Sequence, residues 1–160
     1  RLREIVEMAG SRNVADTPIT VVIEDFDDRN SPIACVSGMR WFAEQVPGLC
    51  FTFDTGNFII HGEDIFAAWE ELKNKVVHVH CKDRKISAEQ LLQAHENEIP
   101  DIKECYLPSA VGEGCIPIKE LVHKMKEYGY RGYLAIEHFD AADQETYMQK
   151  SAANMQEYCS

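Results

Sequence analysis

Four short apolar runs, each closed by an acid or an imidazole and each separated from the next by a stretch of helical period, constrain this chain more than any other feature. They are Ile19 to Ile23 before Glu24, Leu49 to Phe53 before Asp54, Val76 to Val79 before His80, and Tyr133 to Ile136 before Glu137. Their β-branched and aromatic content predicts strands. Between them, Ile65, Ala68, Trp69 and Leu72 share one face of a helix over 63–73, and Ile118, Leu121, Val122, Met125 and Tyr128 share one face over 117–128. Pro117 suits a first helical turn and Gly129 the left-handed position after a helix end. Further helices are expected at 39–46 and 142–158, with an amphipathic one near the start through Leu2, Ile5, Val6 and Ala9. Strands alternating with helices imply parallel βαβ units, because a parallel return needs a long crossover.

Side chains on a strand alternate faces. Thr20, Val22 and Glu24 therefore oppose Ile19, Val21 and Ile23, while Cys50, Thr52 and Asp54 oppose Leu49, Phe51 and Phe53. In the third run Val76, His78 and His80 oppose Val77 and Val79, and in the fourth Tyr133, Ala135 and Glu137 oppose Leu134 and Ile136. Every strand thus offers a bulky face to helices and ends its other face in a titratable group. A closed parallel barrel turns one face of each strand inward and gathers such groups at its C-terminal rim. Three carboxylates brought together there repel one another unless protons or a cation neutralise them. A divalent metal held by Glu24, Asp54, His80 and Glu137 is the economical solution.

The segments IEDFDDR, FDTGNF, HVHCKD, VGEG and AIEHF occur in that order. In this the chain resembles the C-terminal half of the xylose-isomerase-like TIM barrels, the superfamily of the D-tagatose 3-epimerase, hydroxypyruvate isomerase and inosose dehydratase type. The resemblance implies a (β/α)8 barrel of which this chain supplies the last four βα units. It also implies one divalent ion on Glu24, Asp54, His80 and Glu137, the H-x-K-D form selecting His80 over His78. The activity implied is isomerisation or epimerisation of a small ketose or hydroxy-carbonyl compound through a metal-bound enediolate, with Glu24 and Glu137 exchanging the proton. Oxygen-rich ligation favours Mn²⁺, Mg²⁺ or Co²⁺ and leaves Zn²⁺ possible. A keto-inositol dehydratase shares the first step and stays open, as does a non-catalytic sugar-binding barrel. Asn57 stands where the tagatose-type epimerases carry a substrate-contacting histidine, which leaves the substrate open. The same position, with no D-x-H pair after the third strand, speaks against an endonuclease IV-like trinuclear zinc centre.

Lys82 and Asp83 are candidates for holding a substrate hydroxyl, Asn57 occupies a substrate-contacting place, and Glu113 sits in a Gly-Glu-Gly turn suited to covering substrate. The run Lys82-Asp83-Arg84-Lys85 reads equally as a solvated loop edge or as a contact for a substrate anion. The stretch 86–111 is long for a βα loop, with a short helix expected over 88–96; insertions at such places often belong to a site. Barrels of this kind need ~250 residues, so a chain of 160 residues requires a complementary half. A net charge of −11 disfavours nucleic acid as a partner. A small sugar or polyol is the expected partner, with homo-oligomerisation of the complete protein. The six cysteines form no C-x-x-C pair, and reduced thiols in the cytoplasm are the expectation. No stretch approaches the ~18 apolar residues of a membrane span.

Overall fold

A computed structural model describes residues 1–14, 17–89 and 105–160. In chain order the elements are α1 (Leu2–Gly10), a hairpin of β1 (Asn13–Val14) and β2 (Thr17–Pro18), β3 (Val22–Glu24), α2 (Val36–Gln45), β4 (Cys50–Asp54), α3 (Ile65–Leu72), β5 (Val76–Cys81), β6 (Asp83–Ile86), β7 (Tyr106–Ser109), α4 (Ile118–Tyr128), β8 (Tyr133–Ile136) and α5 (Gln144–Cys159). A four-stranded sheet runs in the order β3-β4-β5-β8, and every pairing in it is parallel. This is the expected run of βα units.

The sheet buries the face that alternation predicts. Phe51, Phe53 and Val79 pack with Trp69 and Leu72 of α3, Leu121 and Met125 of α4, and Met155 and Tyr158 of α5. Phe53 meets Phe58 and Trp69 at ring-centroid separations of 4.9 and 5.8 Å, and each such side chain contributes roughly 1.5–3 kcal/mol of burial. Asp64 caps α3 by accepting the Ala67 N–H at 2.8 Å, and Asp143 caps α5 through the Thr146 N–H. Gly129 closes α4 with φ 86°, the left-handed conformation that glycine adopts without strain.

Three expectations need correction. The first strand is only Val22–Glu24: Pro18 belongs to the preceding hairpin, and the Ile19 N–H is taken by the Arg12 carbonyl. Val77 does not share the helix-facing side with Val79. The register shifts between Phe51 and Thr52, which pair with Val76 and His78, so Val76 turns into the core and Val77 is 40% exposed. A bulge of this kind lets one strand carry an extra residue. The long insertion is not a loop throughout, for its flanks form an antiparallel ribbon in which Asp83 pairs with Ser109 and Ile86 with Tyr106. The helix expected at 88–96 falls largely on residues outside those described.

The inward face is left open by the described residues. Tyr133, which shares that face with Glu137, is 80% exposed and Val22 is 39% exposed, while β3 and β8 end the sheet without a further strand among the described residues. Unpaired edges beside an uncovered face promote association. Expressed by itself, the 160-residue chain is therefore expected to self-associate in size-exclusion chromatography with light scattering. A monodisperse, cooperatively unfolding monomer would contradict the partial-barrel architecture.

Candidate metal centre

Parallel register sets the ends of the strands side by side: Asp54 lies opposite His80, and His80 opposite Ala135, two residues before Glu137. Glu24, Asp54, His80 and Glu137 each bring one ligand atom into a group whose members all lie within 4.8 Å of one another. His80 is central. Its Nδ1 stands 2.8 Å from Glu24 Oε1 and 2.9 Å from Glu137 Oε2. One ring nitrogen carries at most one proton and cannot donate to both oxygens. Glu137 Oε2 is accordingly buried without a hydrogen bond. An acceptor-rich cluster with an orphaned carboxylate oxygen fits a divalent cation. His78 lies beneath, its ring edge-on to that of His80 at 5.1 Å.

Asp54 is fully buried and held on three sides. Its N–H donates to Asp25 Oδ1 at 2.8 Å, its Oδ1 accepts the Gly56 N–H at 2.7 Å, and its Oδ2 takes the Lys82 ammonium at 2.5 Å. Burial pushes its carboxyl up to about 6, against the pull of Lys82. Burial lowers the Lys82 pKa, but the Asp54 and Glu137 carboxylates outweigh it and the net shift is upward. Lys82 also reaches Glu137 Oε1 at 3.1 Å. Its stem crosses the turn after β4 where a side chain on Gly56 would bring a Cβ within 2.6 Å of Lys82 Cγ. With Lys82, the three carboxylates and a divalent ion, the formal charges cancel.

The remaining candidates are placed differently. Asp83 is 1% exposed and accepts backbone N–H groups from Arg84, Gly112, Gly114 and Ile116. Burial raises its pKa, opposed by these bonds. Its carboxylate pins the Gly-Glu-Gly turn, and Glu113 points to solvent against Lys150 at 3.0 Å. Removing an acceptor from several buried donors is costly, so Asp83→Ala is expected to lower stability by about 3–5 kcal/mol in chemical denaturation. A loss below about 1 kcal/mol would show the turn to be held otherwise. Asn57 is buried, donating to the Asp25 carbonyl at 2.9 Å and accepting from Arg84 at 3.3 Å.

Sequence reasoning missed Arg84, Asp25 and the partners of His138. Arg84 is 8% exposed, not a solvated loop edge, and its Nε donates to the Gly56 carbonyl at 2.6 Å. Asp25, an acid directly after Glu24 on the helix-facing side, was the available signal; burial and the nearby Asp54 raise its pKa well above the usual range. His138 shares a 2.8 Å hydrogen bond with Ser151, and burial lowers its pKa. A cleft of about 460 Å³ adjoins the cluster at Lys82, lined among others by Arg84, Tyr106, His138 and Phe139.

A parallel sheet under helices, with three carboxylates and an imidazole gathered at its strand ends, defines the class as a TIM barrel carrying a candidate metal centre at its rim. Residues 1–158 match the family described as xylose isomerase-like TIM barrel, and the chain belongs to that family. Over 86 residues, 53% of this chain and 28% of the relative, it is 28% identical to an inosose dehydratase of Lacticaseibacillus casei. Among solved structures it is similar to a xylose isomerase-like TIM barrel protein from Mycobacterium smegmatis in complex with magnesium, with TM-score 0.69 and 14% identity over 99% of this chain and 48% of that one. It is also similar to 3-keto-D-glucoside 4-epimerase from E. coli, with TM-score 0.65 and 17% identity over 98% of this chain and 51% of that one. The chain spans about half the length of these structures. No helix among the described residues is long and apolar enough to cross a membrane.

Proposed function

We propose that the complete protein is a divalent-metal-dependent isomerase or epimerase of a small polyhydroxy ketone, acting by proton transfer at the carbon beside the carbonyl. The observation that carries this is the pair Glu24 and Glu137, reaching His80 Nδ1 from the two outermost strands of the sheet. One carboxylate removes the proton and the other returns it from the opposite side. Glu24, Asp54, His80 and Glu137 would hold a divalent ion, with Mn²⁺, Mg²⁺ or Co²⁺ favoured over Zn²⁺, which would supply positive charge to polarise the carbonyl and its neighbouring hydroxyl. Asp54, fixed by Asp25 and Gly56, keeps the ligand set in register.

A second reading, dehydration of a keto-inositol, is favoured by one specific asymmetry. Lys82 sits against Asp54 and Glu137 and not Glu24, which places an ammonium proton beside only one of the two proton-transfer glutamates, as suits protonation of a departing hydroxyl. The likeness to inosose dehydratases points the same way. The two readings separate in one experiment. Full-length protein with added Mn²⁺ is incubated with a panel of ketoses and keto-inositols, and products are followed by NMR. An isomer or epimer of unchanged mass supports the first reading, loss of water the second, and no turnover across the panel contradicts both.

A further inference from the structure

His138 is a helix-side group at the rim that the proposed reaction does not use. Its side chain is 8% exposed, packs edge-on against Tyr147 at 5.8 Å, and places Nε2 2.8 Å from Ser151 Oγ. Ser151 is fully buried, and its Oγ already accepts the Val111 N–H at 2.8 Å. A hydroxyl has one proton to give. If His138 Nε2 carried hydrogen, Ser151 would accept twice and its own proton would be stranded in the core. The satisfied arrangement has the Ser151 hydroxyl donating to an unprotonated Nε2, which puts the ring proton on Nδ1.

That proton finds no acceptor among the described residues, for Nδ1 is buried with no hydrogen-bond partner. A buried donor without an acceptor is destabilising unless something supplies one. His138 is also a wall residue of the 460 Å³ cleft that adjoins the metal cluster. The cationic wall residues there are engaged elsewhere: Lys82 with Asp54 and Glu137, and Arg84 with the Gly56 carbonyl and Asn57. The Asp27 carboxylate offsets Arg84 at 3.5 Å, and Asp140 adds negative charge to the same cleft. An acceptor entering it is therefore better neutral than anionic, a hydroxyl or carbonyl oxygen and not a phosphate.

We propose that His138, set in its Nδ1–H form by Ser151, is a specificity-determining residue that donates a hydrogen bond to a hydroxyl or carbonyl oxygen of an unphosphorylated polyol in the cleft beside the metal cluster. This rests on the polyhydroxy-ketone reading above and names the residue that recognises the part of the substrate away from the reacting carbon. Two amide replacements separate recognition from support. In His138→Asn the amide nitrogen falls near the place of Nδ1, keeping the donor and losing the reach to Ser151. In His138→Gln the longer side chain brings its amide oxygen near the place of Nε2, where it accepts the Ser151 hydroxyl, and leaves no donor at the place of Nδ1.

The test uses the full-length, metal-loaded protein with histidine ¹⁵N labelling. Long-range ¹H–¹⁵N spectra are expected to show His138 protonated at Nδ1; the Nε2–H form would overturn the proposal without any ligand being added. D-Fructose, D-tagatose, myo-inositol and 2-keto-myo-inositol are then titrated in. The polyol that binds is expected to shift the Nδ1 resonance. Its KM should rise roughly tenfold in His138→Gln with kcat little changed, and less in His138→Asn. A polyol that is turned over while His138→Gln keeps its KM would overturn the role of His138 and leave the proposed function standing. So would a KM loss confined to His138→Asn together with a lowered Tm, which marks the ring as a strut to Ser151. Turnover of sugar phosphates only would overturn the neutral-substrate assignment, and no binding or turnover by any probe would overturn the polyol reading and this proposal together.

Discussion

Replacing Asp54 with alanine is expected to strip the divalent cation from the full-length protein and abolish turnover with it. Asp54 is the candidate ligand whose position is most completely determined. It is fully buried, its N–H is held by Asp25, and its oxygens are held by the Gly56 N–H and the Lys82 ammonium. Outer-shell partners of metal ligands are typically worth about 10–100-fold in affinity, and losing a ligand itself costs more. The same substitution takes away the nearer of the two carboxylates that Lys82 contacts, leaving only Glu137 at 3.1 Å. A half-paired ammonium beside an incomplete ligand set repels an incoming cation. Elemental analysis should show near-stoichiometric metal in the parent protein and a small fraction of it in Asp54→Ala. Retention of the metal would remove Asp54 from the ligand set. Three bound zinc ions in the parent would sink the mononuclear assignment and revive a nuclease-type centre.

The candidate metal cluster was legible in the sequence because strand periodicity is a local property. Alternation alone puts Asp54 on the face opposite Phe51 and Phe53, and parallel register then sets it opposite His80. The parts that escaped depend on partners far along the chain. Arg84 sits in a run of charges that reads as solvated, yet carbonyl and amide oxygens of Gly56 and Asn57 bury it. Asp83 reads as a substrate contact until the N–H groups of Gly112, Gly114 and Ile116 are seen to close on it. Val77 follows the alternation rule on paper and breaks it in the sheet, because the bulge opposite Phe51 and Thr52 shifts the register by one residue. A one-residue shift exchanges the two faces of a strand, and nothing in VVHVHC marks where it falls. Helix limits moved for a simpler reason: α2 starts at Val36, with the Val36 N–H taken by the Glu63 carboxylate 27 residues away.

Proton exchange with solvent gives the most direct reading of the two glutamates. If Glu24 and Glu137 remove and return the proton beside the carbonyl, a true substrate incubated in deuterated water must take up deuterium at the reacting carbon. Glutamine in place of either glutamate keeps an oxygen ligand and nearly the same volume while removing the base. The cluster around His80 would then keep its shape, since the amide oxygen can still face Nδ1 where Glu24 stands at 2.8 Å and Glu137 at 2.9 Å. Loss of a general base typically lowers the rate by about 10²- to 10⁴-fold, so each variant is expected to fall in that range. The two should not be equivalent. Glu137 is also a partner of Lys82, and Glu137→Gln takes away one of the two carboxylates that Lys82 neutralises, whereas Glu24→Gln leaves that ion pair intact. Deuterium uptake should fall further in the variant that loses the carboxylate making the first abstraction than in the other. Metal content measured alongside separates lost chemistry from lost cation. If both variants kept their metal and near-normal turnover, or if the parent enzyme's product carried no solvent deuterium, proton transfer through an enediolate would be wrong. A hydride shift between adjacent carbons, which exchanges nothing with solvent, would then account for the reaction.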